Sequence, residues 1–469
     1  MAKPQLGLSD VNIKSVKLRS PSWNAGGQYD LIPHLREINI YESIFSNALT
    51  GNITFDEAIN LPARIPIVGE EVIEIDIESP GMGDTFDDGT PIFNPIIMFV
   101  HKTVNQQLKT PQSQHFSLEL VSEQYLNNAH SRVSKSYKDM RANEIALDIW
   151  NEYLKPASNA YLAKGSSKGI FEPTERIEQC VIPNWTPHQA INWLAKRSNS
   201  SKYPKAANYV YYETLSGNFF RSLDSLMGAE SKHLIFTLEP GKVDAYKSDR
   251  FKKGIIPCEA IDIAHKPELI KNINRGCYSS KLITHDIVTK QIYQHDYSLA
   301  EEWLDTEHLN EAPPINFKTM PKWAGSTKNT NFAPHFGSKG PITSGSRVSQ
   351  FPDSLVMFAP KHNQMFSENP NHEHDNEVEK WKLQRNSQMT LFDGIKFNVQ
   401  CGGIPLLRVG MCVDIHMMSP QARGGHGTEE DQSLSGKCMV TAIRHVLTNK
   451  LGNTEYKMWL ELSKDGSGE

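Results

Sequence analysis

"IPIVGEEVIEIDIES" (65–79) has a twin far downstream, "PLLRVGMCVDIHMMS" (405–419). Each opens on a Val-Gly step and runs into a strand of alternating character. Ile73, Ile75 and Ile77 share one face against Glu74, Asp76 and Glu78; Val413, Ile415 and Met417 share one against Asp414 and His416, because successive side chains point to opposite sides of a strand. Each phrase predicts one core face and one wet face. The second copy keeps the pattern and loses much of the acidity.

The surroundings repeat as well. A Gly-rich loop follows each phrase (80–91 and 419–436), and then come strand, turn and strand: "FVHKTVNQQLKTPQSQHFSLELVSEQ" after the first, "MVTAIRHVLTNKLGNTEYKMWLELSKD" after the second. From Gly69 to Leu120 is 51 positions and from Gly410 to Leu462 is 52, and both intervals end in Leu-Glu-Leu (118–120 and 460–462). Order and spacing held together over such a distance indicate a duplicated structural unit. Further strand material lies upstream of each phrase, at 35–55 and 388–400. The β-rich "INRGCYSSKLITHDIVTKQIYQHDYS" (273–298) is expected to open the second unit across an insertion.

Between the repeats the character changes. Ile145, Ala146, Ile149, Trp150, Tyr153 and Leu154 recur at helical spacing. "WTPHQAINWLAKRS" starts a second helix, with Thr186 as N-cap, Pro187 at the first helical position and Gln189 closing a capping box. "YVYYETLSGNFFRSLDSLM" (209–227) predicts a strand, a turn at Ser216-Gly217, a strand and a short helix. From about 300 to 376, eight prolines with many Asn and Gly predict a loop-rich insertion.

The fold expected is therefore α+β, mainly β: two antiparallel β-barrels, the second discontinuous, with an α/β domain and a loop-rich insertion between them. The boundaries are 1–125 for the first barrel, 126–262 for the mixed domain, 263–298 for the opening of the second barrel, 299–376 for a peripheral Pro/Asn-rich insertion and 377–466 for the rest of the second barrel.

With 469 residues, 22% of them charged, 38% hydrophobic and a net charge of -5, the chain is expected to be globular, without the basic excess of a polyanion binder. The N-terminus lacks the apolar core of a secretory signal and no 18-residue apolar run occurs, so a soluble protein made in the cytoplasm without membrane insertion is expected. Six scattered cysteines with no C-x-x-C pair are expected to be small buried apolar residues.

Catalytic signals are weak. "GSSKG" (165–169) matches G-x-S-x-G but lacks the apolar strand before it and the helix after it that raise a nucleophilic serine. His372 and His374, with Glu373 and Asp375, have no further ligands at a recognised zinc spacing. No phosphate loop, dinucleotide fingerprint or H-E-x-x-H occurs. No catalytic, cofactor or metal residue is expected. Between Ile65 and Val100 there are eight acidic residues and no Lys or Arg; Glu74, Asp76 and Glu78 are candidate channel-facing acids, since like charge keeps phosphates off a wall.

The segments at 35–80, 118–137 ("LELVSEQYLNNAHSRVSKSY"), 182–198 ("IPNWTPHQAINWLAKRS"), 211–226, 407–417 and 439–465, taken in order, resemble the baseplate central hub protein of T4-type contractile-tailed bacteriophages. The resemblance covers most of the chain and is weakest over 300–376. It implies two barrels of the tail-tube fold in each chain and a homotrimer presenting six of them. It also implies a junction between the sixfold tail tube, or its initiator protein, and the threefold membrane-piercing spike of the tail-lysozyme type. Tape-measure and baseplate wedge proteins are neighbours in that picture, and DNA passes through a central channel without specific binding. The location implied is the tail baseplate of the virion, assembled in the host cytoplasm, with no catalysis by the hub itself. The alternative reading is a tail-associated cell-envelope hydrolase; a third, an effector-delivery spike, is disfavoured because such chains carry a C-terminal spike and this one stops after its second barrel.

Overall fold

The computed structural model describes residues 11–20, 28–59, 67, 69–78, 95–156, 168–203, 205–232, 234–238, 254–265, 268–310, 349, 351–361, 377–419, 430–431, 433–450 and 453–466. Its centre is one 13-stranded sheet. The first seven strands are β1 (Asn12–Arg19), β2 (Gln28–Asp30), β3 (Leu35–Ser43), β4 (Thr50–Glu57), β5 (Val72–Glu78), β6 (Ile96–Thr110) and β7 (Ser113–Val121). They run in the order β3-β4-β7-β6-β5-β1-β2, antiparallel throughout. In β5 Ile73, Ile75 and Ile77 are buried and the acids between them half-exposed, the alternation the sequence predicts. Phe55 and Phe116 meet inside this barrel at 5.4 Å between ring centres, and Leu31, fully buried on the strap between β2 and β3, donates its N–H to Val16 O at 2.8 Å.

The middle of the chain holds β8 (Val133–Arg141), β9 (Gly169–Phe171), β10 (Ile177–Trp185), β11 (Tyr209–Thr214) and β12 (Gly217–Ser222). Helices Ala142–Ile149, continued by a π turn to Leu154, and Pro187–Arg197 bury Ile145, Ile149, Trp150, Ile191 and Leu194 in a second core with Tyr209, Tyr211 and Phe220. Thr186 Oγ1 accepts the N–H of Gln189 with Pro187 in the first helical turn. Gly217 turns β11 into β12 at a φ of +140°, and the short helix Leu223–Met227 follows, as the sequence predicts.

The second barrel uses β13 (Ile235–Leu238), β14 (Ile255–His265), β18 (Ile395–Gly402), β19 (Cys412–His416), β20 (Gly436–Lys450) and β21 (Asn453–Lys464), in the closed order β13-β14-β18-β21-β20-β19. Two expectations are corrected here. Its opening strands are β13 and β14, from a stretch assigned by sequence to the mixed domain but for the last three residues of β14, 263–265. The segment proposed instead, 263–298, contributes β15 (Ser279–His285) and β16 (Ile292–Ser298), which form a separate sheet with β17 (Val356–Pro360) of the Pro-rich stretch. Composition identified strands in 273–298 but not their neighbours; Pro257 inside β14 has no N–H to give a ladder. The proline is accommodated because the β14–β18 ladder begins only at Cys258. Second, the barrel is not wholly antiparallel: β13 runs parallel to both β14 and β19.

One further segment departs from expectation. Within 377–466, Val378–Phe392 is a helix outside the barrel. Arg385 is its anchor, donating to the carbonyls of Ala195, Ala207 and Tyr209 at 3.0–3.2 Å. A third core cluster under β15–β17 takes Val378, Leu383 and Leu391 from the same helix.

The duplication survives at the level of single hydrogen-bond registers. Phe99 faces Val72 and Val121; Met439 faces Cys412 and Ser463. Both long strands shift register at the next step, between Val100 and Lys102 and between Val440 and Ala442. Asn52 opposite Glu119 matches Asn398 opposite Glu461, and the shift between Leu35 and Glu37 matches that between Cys258 and Ala260. Gly69 and Gly410 both lie at positive φ, +98° and +83°, a region open to glycine at little cost.

Candidate functional site

The feature that separates this chain from two barrels on a string is how they meet. β20 is 15 residues long, and its outer edge is divided. From Gly436 to Met439 it pairs with β19 inside its own barrel; from Ala442 to Thr448 it pairs antiparallel with β3 of the first barrel, Ser43 opposite Ala442 through Glu37 opposite Thr448. One sheet thus passes without a break from barrel to barrel, and backbone hydrogen bonds fix the angle between them.

The two faces of this seam differ. On the core face Ile38, Ile40, Ile443 and Leu447 are buried to 2% exposure or less. On the wet face Arg444 donates from Nε to Asn39 Oδ1 at 2.9 Å, lies 3.6 Å from Glu37 and stacks its guanidinium over Tyr41 and Trp459. A planar, permanently charged group suits such stacked and hydrogen-bonded contacts.

At the end of the seam nearest the middle domain, charge is buried. Glu42 lies 3.8 Å from Arg408 and accepts the N–H of Leu215 at 3.1 Å. Burial raises its carboxyl pKa, but His445, Arg408 and the Leu215 N–H outweigh it and the net direction is down. His445, fully buried against the Tyr456 hydroxyl at 2.8 Å, is pushed down by desolvation. The balancing charge for Glu42 is therefore Arg408, which also donates to Pro405 O and Leu407 O. Gly403 gives Tyr456 its space: a Cβ there would fall 1.9 Å from the ring.

Glu213 of β11 ties the middle domain to the first barrel. It accepts from Leu49 N at 2.9 Å, Ser122 Oγ at 2.5 Å and Gln124 Nε2 at 2.9 Å. Desolvation nevertheless pushes its carboxyl up to about 7.

The acids singled out in the sequence lie on β5, away from this seam. Arg19 of β1 holds Glu74 at 2.7 Å and Lys14 lies 3.3 Å from Glu78, while Asp76 has no ion pair among the described residues. The strand is thus partly neutralised by its neighbour β1. His372, His374 and most of "GSSKG" lie outside the described residues. Among the described residues no group of three or more His, Cys, Asp or Glu is placed to hold a metal, and no helix is long and apolar enough to cross a membrane. Five cysteines are buried and Cys180 is half-buried; all are free thiols, and burial pushes Cys258, Cys277 and Cys438 up to about 12.

Sequence reading missed the seam residues Glu37, Asn39, Tyr41, Arg444 and Leu447. A signal was present in strand length: both β6 and β20 continue well past the few residues that pair with the alternating strand, so each has a second half in need of another neighbour.

No protein-family model and no curated protein sequence matches the chain. Among solved structures, the 43 kDa tail protein of prophage MuSo2 from Shewanella oneidensis is similar with a TM-score of 0.51 at 10% identity, over 97% of this chain and 99% of that one. A tail protein from Neisseria meningitidis MC58 aligns at 0.48 and 12% over 97% of both chains. A type VI secretion system component of E. coli, itself similar in structure to T4 bacteriophage tail proteins, aligns at 0.42 and 8% over 98% of this chain and 78% of that one. At such identities the likeness to the MuSo2 protein is one of fold.

Proposed function

We propose that the chain is a structural hub of a contractile phage tail: a homotrimeric adaptor that joins the sixfold tail tube to a threefold spike around a passage for DNA. The observation that carries this reading is the β3–β20 seam. It sets two barrels of matching strand order side by side within one chain, so each chain fills two adjacent seats, and three chains fill a ring of six. Closed rings arise when such a head-to-tail contact repeats through a rotation that closes. The partners are a spike protein of the tail-lysozyme type, the tube or its initiator, the tape-measure protein and wedge proteins of the baseplate, with the virion tail as the site of action. DNA passes without specific binding, in keeping with a net charge of -5.

Native mass spectrometry of the purified protein, with electron-microscopic class averages, tests the proposal. The expected result is a trimer with apparent sixfold features in projection. A strictly monomeric species, even with a spike protein present, overturns it. The hub is not an enzyme on this reading, and a peptidoglycan clearing assay on the isolated protein is expected to be blank.

A further inference from the structure

The register equivalence of the two barrels extends to strand edges. In β20, residues Ala442–Thr448 are covered by β3. The matching half of β6, Lys102–Thr110, pairs with β7 on one side and with nothing on the other among the described residues. The strand that matches β3 is β14, and its Glu259–His265 half likewise has β18 on one side and no strand on the other among the described residues. The chain carries one satisfied seam and the two halves of a second.

Burial follows the same division. Ile38 and Ile40 of β3 are 0% and 1% exposed, whereas their counterparts Ile261 and Ile263 of β14 are only partly buried. Leu447 of β20 is 1% exposed; its counterpart after the register shift in β6, Leu108, is 78% exposed. A large apolar side chain left in water on an unpaired strand edge marks a surface that pairs with another strand.

We infer that β6 of one copy pairs antiparallel with β14 of the next, in the register of the β3–β20 seam. Leu108 then faces Ile261, Gln107 faces Asp262 and Val104 faces His265. The inference rests on the ring reading and deepens it by naming the contact between copies. It also sets the circuit of the ring: β6-β7-β4-β3 continues through β20-β21-β18-β14 into the β6 of the next copy. Strands β1, β5, β13 and β19 branch away from this circuit, β13 and β19 closing the second barrel. Glu74, Asp76 and Glu78 therefore lie off the continuous wall, and its wet face carries Glu37, Asn39, Glu119, Arg444 and Glu461 instead.

Cysteine cross-linking of the full-length protein tests the register. Directly opposed residues of an antiparallel pair have Cβ atoms about 4.5–5.5 Å apart and diagonal ones about 7–8 Å, and disulfides favour the shorter separation. L108C/I261C under mild oxidation is expected to convert the single-chain band into a closed covalent species of three copies, reversed by reductant. L108C/I263C and each single variant are expected to leave the single-chain band in place. A trimer by native mass spectrometry without the L108C/I261C cross-link, or with equal cross-linking of L108C/I263C, overturns the seam and leaves the hub intact. If wild type and L108C/I261C both stay monomeric, the ring reading fails and the seam with it. Leu108 is exposed in the single chain, so L108K is expected to leave the circular dichroism and melting of the dilute monomer unchanged while abolishing the trimer; an undiminished trimer also overturns the seam.

Discussion

Leu447 and Leu108 hold matching places in the two barrels, and truncating each to alanine separates what holds the chain together from what holds copies together. Leu447 is 1% exposed in the core beneath the β3–β20 seam, so L447A removes buried methyl groups and leaves a cavity, at a cost of roughly 2–5 kcal/mol to the folded chain. Leu108 is 78% exposed, so L108A changes the isolated chain by no more than about 0.5 kcal/mol. Covering that exposed fraction between copies is worth about 1–2 kcal/mol for each seam, taking 1.5–3 kcal/mol for complete burial of a leucine side chain, and the loss recurs at every seam of the ring. Urea unfolding of dilute monomer and sedimentation equilibrium of the assembled species read the two effects separately. L447A is expected to lower the unfolding midpoint while L108A leaves it in place and weakens association. Equal destabilisation of the monomer by both variants, or unchanged association of L108A, would refute the equivalence of the two edges.

Three further outcomes are expected. Gly403→Ala drives a methyl group into the Tyr456 ring and is expected to cost about 1–3 kcal/mol, with loss of the Tyr456–His445 hydrogen bond seen in the histidine NMR signals. Arg408→Met leaves Glu42 buried without its cation and is expected to cost roughly 3–5 kcal/mol, much of it recovered when Glu42→Gln is added; no recovery in the double variant removes Arg408 as the balancing charge. Glu213 has its folded pKa raised from 4.5 to about 7, so between those values the folded state holds a proton that the unfolded state has released. Stability therefore falls as pH rises from 4.5 to 7, by up to about 3 kcal/mol, and Glu213→Gln is expected to remove that slope in chemical unfolding measured at pH 5 and pH 7.

The register correspondence also explains why the twin phrases diverge in chemistry. β5 meets the basic strand β1, so Glu74 and Glu78 face Arg19 and Lys14. β19 meets β13 instead, and its Asp414 accepts from the Ser231 hydroxyl at 2.6 Å. The acids of the first phrase match a neighbour that the second barrel lacks.

By itself the sequence determined whatever is written in local pattern. Alternation in β5 and β19, glycines at left-handed turns, the capped helix at Thr186 and the spacing of the two Leu-Glu-Leu tripeptides are properties of short stretches, and each stands where it was expected. The choice of strand neighbours was decided only by the tertiary structure. β15 and β16 were legible as strands and illegible as members of a separate sheet; β13 and β14 were passed over as the opening of a barrel; the candidate interface on β6 and β20 showed only as surplus strand length. The reason is physical: a strand edge offers the same N–H and C=O groups whatever its side chains, so pairing is selected by which apolar faces must be buried together, and that is settled when the whole sheet closes.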